Sequence, residues 1–182
     1  MAKKLLLHIC CAPCLIFPLE ELKKEQFEIK GFFYNPNIQP SKEYMLRRDT
    51  LIKYSKMENI NVIFEEYKPE NFFKGVLQDL ENRCYFCYKM RLEETAVKAK
   101  QIGAEFFTTT LLYSKRQKHE LIVKIAEDIA KKEKIPFLYK DFRMGWKYGI
   151  EKSKNLSLYR QNYCGCIFSE KERFYRHESE LL

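Results

Sequence analysis

Seven cysteines fall in three tight groups in this chain of 182 residues: Cys10-Cys11-x-x-Cys14, Cys84-x-x-Cys87 and Cys164-x-Cys166. No other feature restricts the fold so strongly. Thiolates one to three residues apart can share a metal centre, because the short link lets both sulfurs curl inward. The three groups lie far apart along the chain, so a composite site requires a fold that brings them together. Tetrahedral zinc takes four ligands and a cubane iron–sulfur cluster takes four thiolates. Seven sulfurs therefore exceed the needs of one such centre by three.

A disulfide framework is the rival reading, and context opposes it. Disulfide scaffolds are short, cysteine-dense secreted chains that follow a signal peptide. Here the N-terminal apolar stretch spans only residues 5–9, is broken by His8, and precedes no small-residue cleavage site. No stretch approaches a membrane span. The composition is that of a soluble cytoplasmic protein in a reducing compartment, where clustered cysteines serve metal or redox chemistry. Structural zinc stays open as an alternative, since Cys84-x-x-Cys87 alone suits it. The adjacent pair Cys10-Cys11 suits it less, because structural zinc takes spaced knuckles. A dithiol oxidoreductase built on Cys84-x-x-Cys87 leaves the other five thiols without a use.

Lys and Arg number 33 against 25 Asp and Glu, a net charge of +8 with a pI near 9.0. That excess favours a polyanionic partner. Many lysines lie in mixed Lys/Glu segments such as 20–25 and 131–134, which read as ordinary solvated faces. More suggestive are Arg47-Arg48, Lys115-Arg116-Lys118, Lys147, Lys152, Lys154, Arg160, Arg173 and Arg176, several of them beside aromatic residues. Basic side chains interleaved with rings fit RNA, whose exposed bases stack.

Strands and helices alternate. The pattern predicts strands at 4–9, 27–34, 61–67, 105–110 and 136–140. Helices are expected at 15–26 with Pro18 in the first turn, at 41–58 with Ser41 as cap, at 70–80, from Cys84-Cys87 to 101, and at 118–132. From Phe142 the tail is glycine-marked, basic and aromatic, with a last short helix from Ser169. The expected architecture is one α/β domain over 1–182, a three-layer fold around a mostly parallel sheet of about five strands. An irregular C-terminal extension then closes the metal site. In such sheets the functional crevice lies beyond the carboxyl ends of the strands. Cys10, Cys11 and Cys14 follow strand one, the loop 111–118 follows strand four, and Asp141 follows strand five. Cys84 and Cys87 sit at a helix N-terminus, whose dipole favours thiolates. Gly165 permits a tight turn that folds Cys164 and Cys166 back.

Each further candidate carries two readings. His8 is a hydrogen-bonded core histidine, or a metal or proton-donor group. Asp141 ligates iron or donates a proton, or caps a turn. Arg143, Arg160 and Gln161 hold phosphate or base edges, or are surface polarity. Tyr88, Tyr159 and Tyr163 stack on a base or give a proton, or pack around a metal. Trp146, in an expected loop, is a stacking candidate. Cys14 exceeds the minimum ligand set. No GxGxxG follows a strand, so electrons are expected from a partner or small reductant.

Taken together, His8-Ile-Cys10-Cys11-Ala-Pro-Cys14, Cys84-Tyr-Phe-Cys87-Tyr88, Asp141-Phe-Arg143 and the run from Ser153 to Tyr163-Cys-Gly-Cys166 resemble the QueH-type epoxyqueuosine reductases. The resemblance spans nearly the whole chain. It implies a nucleotide-hydrolase or HUP-like fold, of the kind seen in tRNA-thiolating enzymes. It implies reduction of epoxyqueuosine to queuosine in tRNA, with Asp141 or Tyr163 as proton donor and an unidentified electron donor. It also implies a [4Fe-4S] cluster with an additional iron beside it, drawing on Cys10, Cys11, Cys14, Cys84, Cys87, Cys164 and Cys166.

Overall fold

The computed structural model describes residues 2–175; Arg176 lies outside them. The first strand, β1 (Lys4–His8), is buried along its last four residues. A strand covered on both faces belongs at the centre of a parallel sheet. It pairs in parallel with β2 (Glu28–Phe33) on one side and β4 (Phe106–Thr109) on the other, and β3 (Val62–Phe64) pairs with β2. The order is therefore β3-β2-β1-β4. Seven helices complete the described chain: α1 (Ala12–Lys24), α2 (Ser41–Met57), α3 (Pro69–Val76), α4 (Arg83–Gln101), α5 (His119–Glu133), α6 (Trp146–Asn155) and α7 (Ile167–Phe174). None of them is long and apolar enough to cross a membrane.

Parallel crossovers are right-handed. The chain steps from β1 to β2 to β3 in one direction, which places α1 and α2 on one face. It then returns to the far side of β1, which places α4 and α5 on the other. The contacts agree: α1 packs on α2 and α6, and α4 packs on α3 and α5. Winding reverses between β1 and β4, and a crevice opens there at the carboxyl ends. The backbone N–H of Cys10 spans this point, donating to Thr110 Oγ1 at 3.0 Å.

The α/β class and the parallel sheet are as expected, with four local differences. The segment 136–140 makes one bridge, Phe107 to Phe137, in place of a fifth strand. Pro136 supplies only its carbonyl, to Phe107 N, because proline has no N–H to extend a ladder. Helix α1 starts earlier than expected, with Pro13 in its first turn, so Pro18 lies inside it and Cys14 enters the helix. Ser41 is the first residue of α2 and caps nothing; Pro40 precedes it. The tail also contains a helix, α6, opened by Trp146. Gly149 hides it from sequence reading, since glycine weakens a helical pattern. The same glycine lets α6 lie against Tyr113: a Cβ there would stand 2.2 Å from the tyrosine hydroxyl.

Candidate metal centre

All three cysteine groups sit at helix N-termini. Cys11 occupies the N-cap of α1 with Cys14 in its first turn, Cys84 lies in the first turn of α4, and Cys166 is the N-cap of α7. The positive ends of three helices thus point at sulfur, and that polarity favours thiolates. The Sγ atoms of Cys10, Cys11 and Cys14 all lie within 4.8 Å of one another, a group able to hold a metal ion. Of the three thiols in this triad, only that of Cys10 is pushed down. Sulfhydryl hydrogens of Cys11 and Cys14 lower its pKa, helped by Arg91 and by Thr110 Oγ1 at 3.3 Å. Burial pushes Cys11 up to about 12, and its hydrogen bond with the Cys10 sulfur holds Cys14 high as well. Spacing alone made Cys14 a surplus thiol; the early start of α1 brings it level with the other two.

Two buried guanidinium groups tie the cysteine groups together. Arg91, 2% exposed, reaches Cys87 Sγ at 3.7 Å and Asn35 Oδ1 at 2.6 Å. Arg47, also 2% exposed, pairs with Glu43 at 2.6 Å and donates to the carbonyls of Cys164 (2.9 Å) and Tyr163 (3.2 Å). Burial opposes both charges, yet neighbouring thiolates, together with Glu43 for Arg47, keep both arginine pKa values above normal. The tail is fastened further by Tyr163 Oη donating to Gln39 O (2.6 Å) and Gln39 N donating to Gly165 O (2.8 Å). Gly165 has φ +135, and a Cβ there would sit 3.0 Å from Arg47 Nη1, so the turn demands glycine on both counts.

Cys84, Cys87, Cys164 and Cys166 line one cavity of about 330 Å³. Burial pushes Cys87 up to about 12 and raises Cys84. A second cavity of about 170 Å³ is walled by Cys10, Cys14 and, again, Cys164. The 162–164 segment and Arg116 and Gln117 border both. The chain thus places six of the seven cysteines around two adjoining spaces at the reversal of the sheet, with the Cys11 sulfur within 4.8 Å of those of Cys10 and Cys14.

A sulfur-rich metal centre fits these residues. Among the described residues, Asn37 Nδ2 and Arg91 Nε are buried donors without a partner. Asn37 Nδ2 lies 3.4 Å from where Gly165 would carry a Cβ, between two cysteines; Arg91 is on Cys87. Buried donors of this kind are normally paired, and cluster sulfides and thiolates supply acceptors. The two guanidinium charges offset the negative charge of a thiolate-held centre.

The other candidates divide. His8 is fully buried and lowered to about 3 by burial and by Arg91, so it is neutral. A carbonyl only accepts, so Nε2 donates to Tyr34 O at 3.2 Å and Nδ1 accepts from Thr109 Oγ1 at 2.9 Å. It is a core histidine. Asp141 is not on either cavity wall. It caps Arg143 N and grips the Arg143 side chain, which holds its carboxyl down at about 2. Tyr163 does line both cavities, but its proton is directed to Gln39 O. Tyr159 donates to Glu43, and Tyr88 to Gln117 Oε1 at 2.7 Å; both are packing partners of the site. Trp146, Arg160 and Gln161 stand on the wall of the smaller cavity. Sequence reading passed over Arg91 and Tyr113, and took Arg47 for an RNA contact. The available signal for Arg47 was Glu43 one helical turn before it.

Comparison with known proteins adds the following. The family model described as Epoxyqueuosine reductase QueH matches residues 5–172. A protein named Epoxyqueuosine reductase QueH from Dehalococcoides mccartyi is 39% identical over 175 residues, covering 96% of each chain. One of the same name from Thermotoga maritima is 40% identical over 182 residues, covering 94% of this chain and 93% of its own. Among solved structures, a predicted subunit of tRNA methyltransferase from Methanocaldococcus jannaschii superposes with a TM-score of 0.60. It covers 84% of this chain and 74% of its own, at 12% identity, a likeness of fold alone.

Proposed function

This chain belongs to the epoxyqueuosine reductase QueH family, and we propose that it converts epoxyqueuosine in tRNA to queuosine. The observation that carries this reading is the convergence of the three cysteine groups at the reversal of the sheet, six of the thiols lining adjoining cavities and Cys11 packed with Cys10 and Cys14. The reaction consumes two electrons and two protons: both epoxide C–O bonds break, a C=C bond forms, and the oxygen leaves as water. A [4Fe-4S] cluster and an additional iron, held among Cys10, Cys11, Cys14, Cys84, Cys87, Cys164 and Cys166, would supply low-potential electrons and Lewis acidity.

The rest is the work of the chain. Arg47 and Arg91 hold the cysteine groups in register and would offset the charge of their thiolates in a metal centre. Trp146 offers a ring at the cavity wall for a base to stack on. For the proton we favour Tyr113 over Asp141 and Tyr163. Tyr113 is on the cavity wall, and burial raises its phenol, so it stays protonated at neutral pH. Its Oη donates to Trp146 O at 3.1 Å, a longer and weaker bond than the 2.6 Å one that commits the Tyr163 proton to Gln39 O. Tyr113→Phe is expected to lower kcat by about 100-fold, the usual range for losing a general acid, with KM little changed. Steady-state kinetics and a metal analysis of the variant check it.

The exposed cations Arg116 and Arg160 flank the smaller cavity. Phosphate contacts release counterions, so tRNA affinity should fall at least about tenfold between roughly 50 and 200 mM salt. Arg160→Gln should lower the salt slope by about one. Affinity indifferent to salt would contradict a phosphate-dominated interface. The function itself is tested anaerobically with reconstituted protein, a strong one-electron reductant and tRNA carrying epoxyqueuosine. Digested nucleosides are expected to show a product lighter by one oxygen; unchanged nucleoside with an intact, reduced centre would refute the reading.

A further inference from the structure

Gln161 makes one polar contact and leaves one end idle. Its Nε2 lies 2.9 Å from Cys11 Sγ. Its Oε1 is buried and has no hydrogen-bond partner. Ligated to a metal, Cys11 would be a thiolate, which offers only lone pairs and faces the nitrogen, so the two ends are then not interchangeable. The oxygen is therefore a shielded acceptor on a residue that stands in the wall of the cavity with Cys10, Cys14 and Trp146. A metal–sulfur centre has no hydrogen to give, so it satisfies Asn37 Nδ2 and Arg91 Nε but not this atom. The partner this oxygen lacks is a hydrogen donor, which a ligand entering the cavity can bring. A buried acceptor left unpaired is unfavourable enough to matter tenfold or more in binding, and folded proteins keep such atoms where a ligand completes them.

We propose that Gln161 is the residue that selects the modified nucleoside. Anchored to the Cys11 sulfur by its N–H, it presents its carbonyl oxygen to an O–H or N–H of the side group that bears the epoxide. This rests on the reading of the site given above. An unmodified base has no such group and leaves the oxygen unpaired, so the amide discriminates by the donor that is lacking. The Nε2 contact fixes the side chain beforehand, which spares the ordering cost on binding.

The test compares wild type with Gln161→Met, near in volume but without either polar end, both reconstituted anaerobically. Binding is measured for queuosine-carrying tRNA and for the same tRNA unmodified. Wild type should prefer the modified tRNA by about tenfold or more. In Gln161→Met that ratio should fall close to one, with iron content and salt slope unchanged and KM for epoxyqueuosine tRNA raised by a similar factor. Gln161→Asn, which withdraws the same amide by one methylene, should give an intermediate ratio. A wild-type ratio in Gln161→Met, or loss of iron from both variants, would overturn the proposal, the second by making the amide part of what holds the metal. Wild-type turnover keeps the two ideas apart: no reduction by wild type refutes the functional reading, whereas turnover by both chains with equal KM refutes only the role of Gln161.

Discussion

Cys87→Ser should abolish reduction of the nucleoside and strip most of the iron, while leaving the far-UV circular dichroism of the chain near that of wild type. Cys87 is 6% exposed and burial holds its thiol at about 12. Such a thiol ionises only when a metal displaces its proton. Arg91, 3.7 Å away, then stabilises the thiolate. A serine hydroxyl has the same shape but is smaller and does not ionise there, and a hard oxygen is a poor ligand for a centre that selects sulfur. The expected fall in activity exceeds the 10- to 100-fold typical of losing an outer partner of a metal ligand. Iron, acid-labile sulfide and turnover measured together check it. Full iron and full activity in Cys87→Ser would remove this residue from the centre. The triad invites the same experiment on Cys14, whose sulfur lies as near to Cys10 and Cys11 as a shared ion needs.

Arg47→Met should be the most damaging change outside the cysteines. The side chain is buried and holds Glu43, the carbonyls of Tyr163 and Cys164, and the face of the Tyr163 ring at 5.4 Å. Removing it leaves Glu43, itself 7% exposed, as a buried charge with only Tyr159 to donate to it. Breaking one side of a buried ion pair costs about 3–5 kcal/mol. For a chain of this size each kcal/mol lowers Tm by about 2–4 °C, so a fall of roughly 6–20 °C is expected in the reduced, metal-free protein. The tail loses its fastening at the same time, so proteolytic cleavage within 159–166 should accelerate and iron uptake should fall. A Tm within 2 °C of wild type, taken with about the slope just given, would show that Arg47 does not hold the tail.

These two arginines explain where sequence reading succeeds and where it stops. Spacing announced the cysteine groups, and the β-α alternation placed two of them at the crevice edge, because short-range patterns record short-range structure. Arg47 and Arg48 look alike in sequence, as a basic pair. In the fold Arg48 pairs on the surface with its neighbour Asp49, while Arg47 is buried against a segment more than a hundred residues away. Nothing local distinguishes them beyond Glu43 one turn back. Arg91 is hidden in the same way inside a mixed, charged helix. Asp141 misled for the opposite reason: a strand end is a good place for a functional carboxylate, but the fifth segment pairs only at Phe137, and Arg143 claims the side chain. Tyr113 and Gly149 have meaning only as a pair, since the glycine is what lets α6 lie against the tyrosine hydroxyl.

The measurement that bears most directly on the whole account is electron stoichiometry under strict anaerobiosis. Wild-type protein with a verified iron and sulfide content is titrated with a one-electron reductant in the presence of excess epoxyqueuosine-carrying tRNA, and nucleosides are counted by mass. The account predicts one product lighter by one oxygen for every two electrons consumed, and none above background with Cys87→Ser. Product formed equally by Cys87→Ser, or electrons taken up by an intact centre with no product, would contradict it.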